Sequence, residues 1–192
     1  MNAPVLLKGG RVIDPSQGTD GAFDVLIEDG RVSELRSRIP PKKAHVIDVR
    51  GLVVCPGFVD LHTHLREPGR EDKETIATGT RAAARGGFTA VCAMPNTDPV
   101  NDHAGITRAI LERARTDGVV RVHPIGAITK GSLGEEIAEY GDLREAGCVA
   151  VSDDGRPVVS ARVMRRALEY ARAFDLTVID HCEDPSLFEG AS

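Results

Sequence analysis

No run of 18 or more apolar residues occurs in the chain, so no helical membrane span is expected. No block of Lys and Arg stands out, and a formal net charge of -5 at pH 7 leaves no electrostatic footprint for nucleic acid. The first residues, Met1-Asn2-Ala3-Pro4, lack the charged, apolar and small-residue succession of a secretory signal. Cys-x-x-Cys pairs are missing too. Cys55, Cys92, Cys148 and Cys182 are scattered, which reads as small apolar residues in a reducing compartment, with cytoplasm as the expected location. What remains is the balance of a globular protein, 41% hydrophobic and 28% charged. The 192 residues allow one ordinary domain, or a small one plus part of a larger one.

Residues 1–54 read as short strands joined by tight turns. Val5-Leu6-Leu7 runs into Gly9-Gly10, Arg11 to Asp14 into Pro15, and Phe23 to Ile27 alternates up to Glu28-Asp29-Gly30, a hairpin signal. Arg31 to Leu35 pairs back, and Val46 to Val49 precedes Gly51. His45 lies in a polar connector and is expected to be solvated. About 50 residues bury little core by themselves, so this small β unit needs a partner for its apolar face.

After Pro56 the pattern alternates between strands and helices. Strands are expected at Phe58 to His64, Thr89 to Met94, Val119 to Ile128, Val149 to Ser152 and Leu176 to His181. Helices are expected between them at Glu71 to Arg85, His103 to Thr116, Gly134 to Glu145 and Ser160 to Phe174. Such spacing implies right-handed crossovers and a parallel sheet, with strands covered by helices on one face and packed inside a barrel on the other.

The stretch from Gly57 to Gly69 carries the densest chemistry. Val59, Leu61, Thr63 and Leu65 alternate with Asp60, His62, His64 and Arg66, placing a carboxylate, two imidazoles and a guanidinium on one strand face. Two histidines one residue apart at a strand end can reach one ion, and imidazole suits zinc. His-x-His also fits a polar strand face with incidental histidines. Other polar clusters follow at later strand ends: Pro95-Asn96-Thr97, Asp153-Asp154-Gly155 and His181-Cys182-Glu183-Asp184. Each has a plainer reading, since Asn96 could shape a turn, Asp153 or Asp154 could cap one, and His181 could sit in the core. A barrel gathers such ends around one mouth, where barrel enzymes work. His103 and His123 read as structural.

These motifs, in this order, resemble the amidohydrolase superfamily and, within it, the dihydroorotases of the longer bacterial type. His-Leu-Arg-Glu-Pro-Gly at 64–69, Met-Pro-Asn-Thr at 94–97 and Ser-Asp-Asp-Gly at 152–155 carry the narrower match. The resemblance implies an α/β fold: the N-terminal part of a (β/α)8 TIM-type barrel, strands 1–5 in residues 55–192, with a β-sandwich segment in residues 1–54. It implies one or two zinc ions held by His62, His64, Asp154 and His181, and a substrate carboxylate held by His64, Arg66 and Asn96. Reversible hydrolysis of dihydroorotate to N-carbamoyl-aspartate, a step of pyrimidine synthesis, would follow. Hydantoinases and allantoinases bridge their metals with a carboxylated lysine, whereas the fourth strand here offers Asp153-Asp154. Arg66 would grip a carboxylate through two parallel bonds and so favour an acidic substrate over a neutral hydantoin.

Against that family the pattern stops at the fifth strand, and Leu187 to Ser192 reads as a surface loop. The chain is therefore expected to be an N-terminal fragment, inactive alone, with the proton-shuttling aspartate beyond residue 192. Expected partners are the small-molecule substrate, the remaining C-terminal half, and a homo-oligomeric copy or a carbamoyltransferase, with neither nucleic acid nor membrane. The alternatives are a non-catalytic homologue acting as scaffold for a carbamoyltransferase, and a hydantoinase- or allantoinase-like amidohydrolase.

Overall fold

In the computed structural model, which describes residues 3–187, Gly9-Gly10 does not turn the chain. The pair lies inside one strand, β1 (Val5–Asp14), as a bulge where the register against β2 (Thr19–Glu28) shifts between Leu7 and Gly10. A bulge absorbs an extra residue without ending the ladder, and Gly9 takes the left-handed φ of 81° it requires. The buried Asp24 carboxylate secures it, accepting from the Gly9 and Ile39 amides at 2.9 Å each. The expected hairpin is present: Glu28 pairs with Arg31 of β3 (Arg31–Arg36) across Asp29-Gly30, both at positive φ. Strands β4 (His45–Asp48) and β5 (Val53–Val54) run parallel to β1. His45 opens β4 instead of lying in a connector, and it is exposed. Among the described residues, those up to Pro56 form one compact unit and those from Gly57 onward another.

The second unit alternates β6 (Phe58–Thr63), α1 (Ile76–Arg85), β7 (Phe88–Ala93), α2 (Ala104–Asp117), β8 (Arg121–Gly126), α3 (Tyr140–Ala146), β9 (Ala150–Ser152), α4 (Ala161–Ala173) and β10 (Thr177–Ile179). The five strands are parallel and neighbour one another in chain order, a curled half of a (β/α)8 barrel. Burial on both faces follows from alternation along β7. Val91 and Ala93 pack with Ile76 of α1 and Ile110 of α2, while Cys92 and Met94 pack with Ile125 and Ala150 on the opposite face. A third cluster joins Tyr140 and Leu143 of α3 to Ala167 and Ala171 of α4. Edge strand β6 differs, for Val59 and Leu61 remain 55% and 66% exposed where the alternation predicts a covered face.

Two expected boundaries move for physical reasons. The helix expected from Gly134 begins only at Tyr140, because Gly131, Ser132 and Gly134 take positive φ, and Thr129 bridges Ile137 instead. The helix expected from Glu71 begins at Ile76, where Thr75 and Thr78 exchange side-chain and backbone bonds as a capping box. His103 caps α2 by accepting the Gly105 amide at 3.1 Å, and His123 lies within β8. Cys92 and Cys148 are buried, whereas Cys55 and Cys182 are exposed. The terminal segment beyond Leu187 lies outside the described residues.

Candidate functional site

Strand β6 ends at Thr63, so His64 and Arg66 do not continue its alternation. Arg66 sits at φ 60°, a left-handed turn that redirects the chain, and Glu67-Pro68 and Asp98-Pro99 are cis. Gly69 packs so closely that a Cβ there would lie 1.9 Å from the Asp98 carbonyl oxygen, and the Asp98 amide donates to the Pro68 carbonyl at 2.9 Å. Glu67 ties this turn to the helices, accepting the Ile76 amide at the start of α1 at 2.9 Å and pairing with Arg113 of α2 at 2.8 Å. The turn after β6 is thereby locked against the loop after β7, which carries Asn96.

Asp154 reaches the same place from the end of β9. Its neighbour Asp153 turns inward, accepting the Ile128 amide at 2.8 Å, the Thr129 amide at 3.1 Å and the Thr129 hydroxyl. Burial pushes the Asp153 carboxyl up from its ordinary range, against the lowering effect of those donors. Asp153 thus anchors the turn to the end of β8, and the Asp154 side chain, only 8% exposed, faces the histidines.

Asp154 Oδ1 lies 3.1 Å from His62 Nε2, and its Oδ2 lies 3.6 Å from His64 Nε2. One potential ligand atom from each residue falls within 4.8 Å of the others. Tetrahedral ligands about 2.1 Å from zinc stand roughly 3.4 Å apart, so two imidazole nitrogens around a carboxylate fit such an ion in spacing and donor type. Asn96 sets the orientation. Its Nδ2 donates to Asp154 Oδ2 at 2.7 Å, which turns Oδ1 toward His64 Nδ1 at 3.0 Å. That oxygen can only accept, so His64 carries a proton on Nδ1 and turns Nε2, the nitrogen free to ligate, toward the group. His181 stands farther out, with Nδ1 3.8 Å from Asp154 Oδ1 and Nε2 3.1 Å from Glu183 Oε2, outside the three-residue group.

Adjoining the group is a pocket of about 260 Å³ into which Arg66, Asn96 and Asp154 face, together with Arg70 and Arg156. The structure therefore gathers His62, His64, Asn96, Asp154 and Arg66 and leaves His181 at the margin. Sequence reasoning missed Arg70, Arg156, Glu67 and the anchoring role of Asp153. Glu67 and Asp153 had a signal, the first inside His-Leu-Arg-Glu-Pro-Gly and the second as the first of two adjacent aspartates at a strand end.

A family model described as dihydro-orotase-like matches residues 51–192. A dihydroorotase of Anaeromyxobacter dehalogenans is 61% identical over 185 residues, covering 96% of this chain and 43% of the relative. A dihydroorotase of Solibacter usitatus is 56% identical over 187 residues, covering 97% of this chain and 44% of the relative. Among solved structures, the L-hydantoinase (dihydropyrimidinase) of Arthrobacter aurescens superposes with a TM-score of 0.83 at 22% identity, over 98% of this chain and 42% of that one. At that identity the likeness concerns the fold. The chain spans about 43% of the length of the curated relatives it matches.

Proposed function

The chain belongs to the dihydro-orotase-like family, and from that premise we propose that the protein carrying it is a zinc-dependent dihydroorotase. One observation carries the reading: His62 and His64 from one strand end and Asp154 from another converge within 4.8 Å beside the Arg66 pocket. Bound there, zinc would polarise a carbonyl oxygen and make a water molecule more acidic. His62, His64 and Asp154 would hold it, with His181 contributing to a second ion.

The remaining work falls to the chain's own side chains. Arg66 offers a planar two-pronged donor to the ring carboxylate and so fixes which face of the ring meets the metal group. Asn96 holds the His64 proton on Nδ1 and steadies Asp154. Hydrolysis adds water across the ring amide: a C–O bond forms, the C–N bond breaks, the nitrogen gains a proton, and the new carboxylic acid releases one. We place the group that moves these protons in the part of the relatives' length this chain does not span.

A hydantoinase would take a neutral ring, for which Arg66 has no partner, and the fourth strand of the barrel half ends in Asp153-Asp154 with no lysine to bridge two metals. Turnover by the complete, zinc-loaded protein separates the two. Dihydroorotate should exceed a neutral hydantoin in kcat/KM by at least ~100-fold, since a site built for a polar group rejects substrates lacking it. Equal rates, or preference for the hydantoin, would overturn the assignment. The cytoplasmic location and a carbamoyltransferase or second-copy partner belong to the same proposal.

A further inference from the structure

Two turns bring the metal-type ligands and the Arg66 guanidinium together, and each also delivers an arginine with no part in that arrangement. Arg70 closes the turn begun by Arg66, its amide donating to the Arg66 carbonyl at 3.1 Å. Arg156 closes the turn holding Asp154, its amide donating to the Asp153 carbonyl at 2.9 Å. Both are exposed, and both face the pocket of about 260 Å³ shared by Arg66, Asn96 and Asp154. Asp154 is the pocket's single acidic lining residue, and it is engaged by His62, His64 and Asn96. Among the described residues, Arg66, Arg70 and Arg156 form no ion pair. Three uncompensated guanidiniums around one small cavity exceed what a single ring carboxylate requires.

We infer that Arg70 and Arg156 form a cationic rim that selects the ring-opened dicarboxylate over the ring-closed monocarboxylate at the site proposed above. The inference rests on that functional reading. Dihydroorotate carries one negative charge and N-carbamoyl-aspartate two, and Coulomb energy scales with ligand charge. A rim of fixed positive charge therefore holds the open form more tightly and draws it from solution in the ring-closing direction. A mutation leaves the overall equilibrium constant untouched, so kcat/KM must fall by one factor in both directions. The preference therefore appears in the two KM values, with the two kcat values shifting in compensation.

The experiment uses the complete zinc-loaded protein with Arg70→Gln/Arg156→Gln, Arg70→Lys/Arg156→Lys, and Arg85→Gln at the far end of α1 as a control. For the Gln pair, KM for N-carbamoyl-L-aspartate should rise about tenfold and KM for dihydroorotate about threefold, the logarithms standing near two to one. The Lys pair should retain most of the difference, the control should change neither, and ~1 M salt should erase the effect, because screening then acts within about 3 Å. Equal rises for both compounds, or none, would overturn the inference while leaving the activity standing. If the wild-type protein turns over neither compound, the activity reading fails instead. Calorimetry with the two unconverted compounds then decides the rim: weaker dianion binding in the Gln pair supports it, and unchanged or absent binding sinks it.

Discussion

Asn96 holds two potential ligands at once, with its oxygen on His64 Nδ1 and its nitrogen on Asp154 Oδ2. Asn96→Leu keeps the bulk and removes both bonds, so zinc affinity of the complete protein should fall about 10- to 100-fold, read by competition with a chelator. Asn96→Asp restores the acceptor for His64 but sets a like charge beside Asp154, so it should not recover the loss. Unchanged affinity in both variants would assign Asn96 to the substrate alone. Asp153 makes a different prediction, because its carboxylate satisfies the buried amides of Ile128 and Thr129. Asp153→Ala should lower unfolding free energy by roughly 2–5 kcal/mol, since each orphaned donor costs about 1–3 kcal/mol. Asp153→Asn keeps an acceptor and should cost less. Equal urea midpoints for the two variants would contradict this role.

At the scale of elements, the crossover rhythm after Pro56 was legible because β7 is a short apolar run between Gly87 and Pro95 and α2 carries a 3.6-residue period. Turn-borne features were harder to read. Arg66 reads as a continuation of strand alternation, yet the strand stops at Thr63 and a left-handed residue aims Arg66 at the pocket. Arg70 and Arg156 reach that pocket through turn geometry that periodicity does not encode. The 130–139 segment misled in the same way, since composition alone does not reveal Ser132 at φ 52°. The cluster at His62, His64, Asn96 and Asp154 could be read because each polar group ends an apolar run, but the Asn96 link between His64 and Asp154 could not. Gly69 tests how far the turn after β6 depends on its close approach to the loop after β7. Gly69→Ala adds a Cβ at φ 93° against the Asp98 carbonyl and should cost at least about 1–3 kcal/mol in denaturant unfolding. A loss below about 0.5 kcal/mol would mean the two loops separate easily.

Across the whole molecule, the second unit's sheet runs from β10 to β6, and each edge strand pairs on one side among the described residues. Phe58, Val59 and Leu61 of β6 are 55%, 55% and 66% exposed, an apolar row beside an unpaired backbone edge. Residues 1–192 expressed alone should therefore self-associate in sedimentation velocity and show no dihydroorotate turnover with added zinc. A monodisperse, cooperatively unfolding and active monomer would contradict both expectations. The central claim is the metal centre itself, and anomalous diffraction at the zinc edge from crystals of the complete zinc-loaded protein tests it most directly. The predicted result is a peak about 2.0–2.1 Å from the Nε2 atoms of His62 and His64, with an Asp154 carboxylate oxygen in the same shell. A map with no zinc at these three residues, or with zinc bound only elsewhere, would contradict the account.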